Sequence, residues 1–175
     1  LWRHLANAHG RKPTIPLPEI QIFGGGAHAG RRVDVQDFMV VCPRAASFGE
    51  ALEWTAEVYR CAGELLQSRG ARNGVADEGG WWPAFSTNEE AIEALVAAIE
   101  RAGFVPGEDV AIALDIAASD FGRAGRYRLG LERRELDSDG LIELLLRWIE
   151  RYPIVSIEDP LGEDDPNGFA RFTAA

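Results

Sequence analysis

Two acidic side chains stand where short, mainly apolar segments end. Residues 110–114 run into Asp115, and residues 154–157 run into Glu158. Parallel α/β sheets and barrels carry their chemistry at the carboxyl ends of their strands. Two carboxylates at one such rim repel each other unless a cation lies between them, so the pattern predicts a divalent metal site. The alternative is that each acid caps a following helix, as Asp often does after a strand.

Two glycine-rich segments carry further reactive side chains. Asp77 and Glu78 precede two glycines, which suits close approach of the backbone to a ligand, although a simple turn has the same composition. His28 lies within the run 24–30, Gly-Gly-Gly-Ala-His-Ala-Gly. A histidine there could contact a phosphate or transfer a proton. The run lacks the Gly-Lys-Ser/Thr ending of a nucleotide-binding P-loop.

Apolar periodicity predicts the elements that must position these side chains. Short apolar segments alternate with amphipathic stretches of helical period, which is typical of an α/β fold with a parallel sheet covered by helices. Capping residues, glycine and proline mark where the helices start and stop. We expect a loop at 73–83 and a short hairpin arm at 127–131. The predicted strands are 20–23, 38–42, 110–114 and 154–157, and the main predicted helices begin at Ser47, Thr87 and Ser138.

The composition excludes some classes of partner. The 175 residues carry a formal net charge of −10, which argues against a nucleic-acid or anionic-membrane surface. The sequence has no apolar run long enough to span a bilayer and no signal-peptide pattern. Cys42 and Cys61 lie in apolar or helical stretches, so we expect buried thiols rather than a disulfide. A cytoplasmic protein is the simplest expectation.

Taken together, five short motifs resemble the enolase family in content and order. They are 25–30 (Gly-Gly-Ala-His-Ala-Gly), 36–39 (Gln-Asp-Phe-Met), 77–80 (Asp-Glu-Gly-Gly), 114–119 (Leu-Asp-Ile-Ala-Ala-Ser) and 156–160 (Ser-Ile-Glu-Asp-Pro).

This resemblance implies a fold and an activity. The fold would be a partial enolase-type (β/α) TIM-like barrel, with parallel strands and outer helices. Residues 1–175 would form the amino-terminal half of the barrel domain, and the amino-terminal capping domain and the carboxyl-terminal half of the barrel would be absent from this chain. The implied activity is that of phosphopyruvate hydratase, a glycolytic carbon–oxygen lyase. It dehydrates 2-phosphoglycerate reversibly to phosphoenolpyruvate with Mg²⁺, and the implied assembly is a homodimer.

The resemblance also implies roles for particular side chains. Asp115 and Glu158 would be two ligands of the tighter metal ion. Glu78 would act as general acid and assist departure of the hydroxyl group. His28 would lie on a mobile loop that closes over the substrate and its phosphate. The residues implied to contact the substrate are His28, Gln36 and Asp37, of which His28 and Asp37 would also serve catalysis with Glu78.

Departures from the family pattern leave alternatives open. Asp37 stands where the family has glutamate, and Ala27 replaces a loop serine that can help to hold a second metal ion. In the family, the third metal ligand, the lysine base and the cationic residues that grip the substrate would lie beyond residue 175. The alternatives are a related carbon-acid lyase, or a catalytically impaired paralogue that acts as a binding or scaffold module.

Overall fold

The fold is α/β, as the sequence predicts. A computed structural model describes residues 1–175, apart from the side chain of His28. Over this backbone the strands are β1 (Ile20–Gly24), β2 (Asp37–Val41), β3 (Arg72–Val75), β4 (Trp81–Pro83), β5 (Ala111–Asp115), β6 (Gly122–Arg123), β7 (Arg126–Leu129), β8 (Arg134–Asp137) and β9 (Ile154–Glu158). The helices are α1 (Trp2–Ala8), α2 (Phe48–Ser68), α3 (Asn88–Arg101), α4 (Ser138–Arg151) and α5 (Pro166–Ala174).

The main sheet is mixed rather than wholly parallel. Its strand order is β3-β4-β1-β2-β5-β9, and within the described backbone it is open, with β3 and β9 at its edges. β9 pairs parallel with β5, whereas β2 is antiparallel to both β1 and β5. The prediction of parallel strands is therefore wrong for β2. The reason lies in residues 25–36, where a 3₁₀ turn replaces the crossover helix that parallel neighbours usually require.

Side-chain caps start the helices close to the predicted residues. The Ser47 hydroxyl accepts a hydrogen bond from the Glu50 backbone N–H at 3.1 Å, and Thr87 caps α3 in the same way. At α4 the cap is Asp137 rather than Ser138, because its carboxylate accepts the Gly140 N–H at 2.9 Å. Each cap satisfies a backbone donor that the first turn leaves unpaired.

Helices α2, α3 and α4 contribute to a single apolar core with the strands. Four consecutive residues of β5, from Ala111 to Leu114, are fully buried, which explains why this strand reads as an uninterrupted apolar run. Trp81 packs from β4 onto α2, where its indole stacks on Tyr59 with ring centroids 4.7 Å apart. The core therefore fixes the strand ends that carry the acidic residues.

Two segments are more regular than the sequence indicates. The predicted loop at 73–83 is largely a hairpin of β3 and β4, and Glu78 lies in its turn. The predicted hairpin arm is a three-stranded antiparallel sheet of β6, β7 and β8. Asn73 and Gly74 weaken the strand signal of β3, and Pro83 at the end of β4 is more typical of a loop.

Two expectations from composition can be compared with the structure. Cys42 and Cys61 are buried free thiols, as predicted. Among the described residues, none of the helices has the length and apolarity needed to cross a bilayer.

Candidate functional site

Acidic residues from three neighbouring strands meet at one end of the main sheet. Asp115 ends β5 and Glu158 ends β9, and the two are direct partners in the parallel register. Asp37 begins β2 and is the direct partner of Asp115 on its other side. Because β2 runs antiparallel to β5, its first residue reaches the rim where β5 and β9 end. Partners in register place their side chains on the same face, so these three carboxylates form a row.

Asp115 at the centre of this row is held by two hydrogen bonds. Its Oδ1 accepts the Ala117 backbone N–H at 2.9 Å, and its Oδ2 accepts the Gln36 side-chain amide at 3.1 Å. The backbone N–H of Gln36 also donates to the Asp115 carbonyl at 3.1 Å. The structure therefore brings two of the predicted site residues, Gln36 and Asp115, into direct contact.

The row of carboxylates is electrostatically strained. Burial is the largest cause that raises the pKa of Asp115, and the hydrogen bond from Ala117 opposes it. Repulsion from Glu158, Asp37 and Asp159 adds to the effect of burial, and the pKa of Asp115 rises to about 6. A cation between the carboxylates would relieve this repulsion.

Gln21 on β1 connects the row to the turn between β3 and β4. Its side-chain amide N–H group donates to Asp37 Oδ1, and also lies 3.4 Å from Glu78 Oε2. Its carbonyl oxygen accepts the Gly80 backbone N–H at 2.7 Å. Gln21 and Asp37 are only 7% and 5% exposed. One buried amide thus touches both of the predicted acids Asp37 and Glu78.

The motifs and apolar spacing of the sequence do not identify Gln21 as a residue of the site. The signal available was a single polar residue inside the apolar strand Ile20–Phe23, and the spacing of that strand does not tell which buried partner the residue meets. A polar group inside a sheet must find hydrogen-bond partners, so a buried glutamine in this strand predicts polar neighbours on the adjoining segments.

The glycines next to Gln21 permit close backbone approach. A Cβ atom on Gly80 would lie 2.5 Å from the side-chain oxygen Oε1 of Gln21, and one on Gly24 would lie 2.4 Å from Ala76 Cβ. Gly79 adopts a φ of +101° in the turn, so it serves the turn itself. In the Asp-Glu-Gly-Gly motif one glycine therefore makes the turn, and the other makes room for Gln21.

Glu78 and Asp115 face different cavities. Asp115 and Gln36 line a cavity of about 290 Å³ that also includes Asp159 and Phe169. Glu78 is exposed and lines a cavity of about 350 Å³ against α2. Among the described side chains, Gln21 is the one whose hydrogen bonds link Glu78 to the row. His28 lies in the 3₁₀ turn Gly26–Ala29, and its side chain falls outside the described residues.

The donor set at the rim suits a hard cation. Mg²⁺ prefers oxygen ligands such as carboxylates, and both Asp115 and the exposed Glu158 offer carboxylate oxygens at adjacent strand ends. Among the described residues, however, no cluster of three or more His, Cys, Asp or Glu has the arrangement of a complete metal site. The rim therefore fits part of a magnesium site.

Comparison with known proteins assigns the sequence to a family. Residues 12–175 match the family model described as enolase, C-terminal TIM barrel domain. The chain is 43% identical over 171 residues to Enolase 1 of Desulfitobacterium hafniense (strain Y51). That alignment covers 96% of this chain and 39% of the relative, so the chain spans about two fifths of the length of the protein it matches. The resemblance predicted from the five motifs is confirmed.

Proposed function

The chain belongs to the enolase family, and from that premise we propose that the protein containing it dehydrates 2-phosphoglycerate reversibly to phosphoenolpyruvate. Family membership makes a lyase the expected class of enzyme. The specific reaction, the Mg²⁺ cofactor and the small phosphorylated carboxylate substrate are parts of the proposal. The observation that carries it is the row of Asp37, Asp115 and Glu158 across three adjacent strand ends.

The reaction needs this kind of rim. The proton that is removed is bonded to the carbon next to a carboxylate, and this C–H group is a very weak acid. Loss of the proton leaves an enolate of high negative charge. Bound Mg²⁺ would supply the positive charge that stabilises this enolate. Asp115 and Glu158 would hold the ion, and Gln36 would keep the Asp115 carboxylate in place through its hydrogen bond.

Glu78 is the proposed general acid, which gives a proton to the departing hydroxyl group. Gln21 would hold Glu78 and Asp37 in a fixed relation, because its amide contacts both carboxylates. Asp37 and Gln36 would line the substrate-binding site, and His28 would lie on the loop that closes over the substrate. The role of His28 is carried by the motif 25–30 alone.

The chain would supply only part of the catalytic machinery. It spans 39% of the relative it matches, and the lysine base and the third metal ligand that the family implies would come from residues outside it. The rim described above would then form one wall of the site.

The test is turnover by the full-length protein with 2-phosphoglycerate and Mg²⁺, followed by the ultraviolet absorbance of phosphoenolpyruvate. We expect Glu158→Gln to lower kcat by at least about a hundredfold, in line with the loss of a metal ligand or its orientation. Glu53→Gln is the matched control, since Glu53 is exposed on α2 away from the rim. Absence of turnover in the wild-type protein, or equal loss in both variants, would contradict the proposal.

One observation favours a second candidate, an impaired paralogue or a related carbon-acid lyase. Asp37 is one methylene shorter than the family's glutamate, is only 5% exposed and is bonded to Gln21, so its carboxylate reaches less far from the end of β2 than a glutamate would. A displacement of about 1 Å can cost on the order of a hundredfold in rate. If wild type is inactive and Asp37→Glu gains turnover of 2-phosphoglycerate, the second candidate is correct.

We propose the cytoplasm as the compartment and a homodimer as the assembly. The buried free thiols of Cys42 and Cys61 suit a reducing compartment. The dimer rests on the family resemblance, and light scattering of the full-length protein tests it.

A further inference from the structure

A cavity of about 470 Å³ lies between the segment that follows the 3₁₀ turn and the small sheet of β6, β7 and β8. Four arginines are among its lining residues, in a protein whose formal net charge is −10. These residues, which we call the arginine pocket, are Arg31, Arg123, Arg126 and Arg128.

The strand geometry forces these cations together. Arg123 and Arg126 are direct partners across the antiparallel pair of β6 and β7. Arg126 and Arg128 alternate along β7 with the buried Tyr127 and Leu129, so both point away from the core. Like charges directly opposite each other destabilise a strand pair, so the arrangement costs stability unless an anion offsets it.

The acids that line the pocket offset half of this charge at most. Of the two aspartates that line the pocket, Asp34 is already engaged: its carboxylate accepts the backbone N–H groups of Gly130 and Leu131 at 2.8 and 3.2 Å. It also accepts the side-chain amide of Asn88 at 2.9 Å. Asp120 accepts a hydrogen bond from Arg31 through its backbone carbonyl, at 3.2 Å.

The cross-strand acids lie beside the arginines without forming ion pairs with them. Asp137 and Glu135 on β8 are the register partners of Arg126 and Arg128. The Asp137 carboxylate is turned to the start of α4, where it caps Gly140. Among the described side chains, no ion pair involves any arginine of the pocket. Four arginines against two lining aspartates leave a net charge of +2.

We propose that the arginine pocket binds a small phosphate-bearing anion, such as a phosphate monoester in its dianionic form. Arginine forks match phosphate oxygens in a bidentate manner, and the pocket's net charge equals that of the dianion in magnitude. Its volume lies in the range of small-molecule sites. Among the described residues, neither Asp115 nor Glu158 lines this cavity, and Asp120 is the one residue that it shares with the 290 Å³ cavity of Asp115 and Gln36. The pocket is therefore a second site beside the rim.

Binding of inorganic phosphate to the full-length protein tests this, measured by isothermal titration calorimetry at pH 8 and low salt. We expect the double variant Arg123→Gln/Arg126→Gln to weaken the affinity at least roughly tenfold, because charge-assisted hydrogen bonds are lost. The control is Arg69→Gln, which removes one arginine charge outside the pocket, just after the end of α2, where Arg69 is exposed. The control should bind phosphate as wild type does.

Three outcomes would overturn the proposal: no binding by the wild type at millimolar phosphate, unchanged affinity in the double variant, or equal weakening in Arg69→Gln. Circular dichroism of each variant verifies folding. If the double variant misfolds, the single variant Arg128→Gln takes its place and must still weaken binding by several-fold. No turnover is measured, so the result stands or falls independently of the proposed lyase activity.

Discussion

Asp115 and Glu158 end neighbouring parallel strands as direct register partners, and none of the described residues in their register row has a cationic side chain. The third member of this row, Asp37, is also acidic. The rim is therefore built from groups that repel one another, and this strain is the property that a bound cation would relieve.

Asp115→Asn should separate the repulsion within the row from the binding of a cation. Replacing the carboxylate removes repulsion within the row, so we expect the metal-free variant to match or exceed wild type in Tm. On addition of Mg²⁺ at a hundredfold excess over Kd, wild type should be stabilised by about 2.7 kcal/mol and its Tm should rise. The variant should show no such rise. Differential scanning calorimetry of the full-length protein, with and without Mg²⁺, measures both.

Asp139→Asn serves as the control for that change. Asp139 is exposed and pairs with Arg171 on the surface, so its loss should change stability by no more than about 1 kcal/mol and leave the Mg²⁺ response intact. A Mg²⁺ response that persists undiminished in Asp115→Asn would remove Asp115 from the ligand set.

Gln21→Leu should destabilise the protein although the side chains are similar in size. The change leaves the Gly80 N–H without its acceptor and Asp37 without a donor, both in buried surroundings. An unsatisfied buried polar group costs about 1–3 kcal/mol, so a loss of several kcal/mol is expected in urea denaturation. In the proposed lyase the same variant should lower kcat more than it changes KM.

The control for Gln21 is Gln67→Leu, because Gln67 is exposed near the end of α2. Its replacement should stay within about 0.5 kcal/mol of wild type, as for most surface substitutions. Comparable losses in the two variants would show that Gln21 does not serve as a link between Asp37 and Glu78.

The rim could be predicted from sequence only in part. Asp115 and Glu158 were predictable as neighbours, because each follows an apolar run and parallel strand ends share an edge. The reversed direction of β2 could not be predicted, because an apolar run does not indicate whether its strand is parallel or antiparallel to its neighbours. Asp37 reaches the rim only through that reversal. The link through Gln21 also escaped prediction, since periodicity gives the face of a strand and not the partner across it.

Tyr127→Phe should weaken the attachment of the small sheet to the segment before α5. The Tyr127 hydroxyl donates to Asp165 and accepts the Gly162 N–H, both at 3.0 Å. Without it the Gly162 N–H loses its partner, so we expect a loss of about 1–3 kcal/mol at neutral pH, measured by urea denaturation.

Alkaline pH provides a second measurement at Tyr127. Burial is the main cause that raises its pKa, from 10.0 to about 12, and Asp165 adds to the effect against the hydrogen bond from Gly162. Since the folded pKa exceeds the unfolded one, this group's contribution is complete below pH 10 and is lost as pH rises towards 12. Stability should therefore fall less steeply between pH 10 and about 12 in Tyr127→Phe, and identical slopes would contradict this assignment.

Two glycines of α2 should respond in opposite directions to alanine. A Cβ on Gly63 would lie 2.6 Å from the Trp81 ring, so Gly63→Ala must displace the indole and its stacking on Tyr59. Overpacking of this kind costs about 1–3 kcal/mol, more than the gain in helix propensity of about 1 kcal/mol. At Gly49 the nearest atom to such a Cβ is Ser47 Oγ at 3.8 Å, so Gly49→Ala should stabilise α2 slightly. Thermal unfolding of both variants decides this, because equal shifts in Tm would mean that Trp81 moves aside freely and does not fix β4 against the helix.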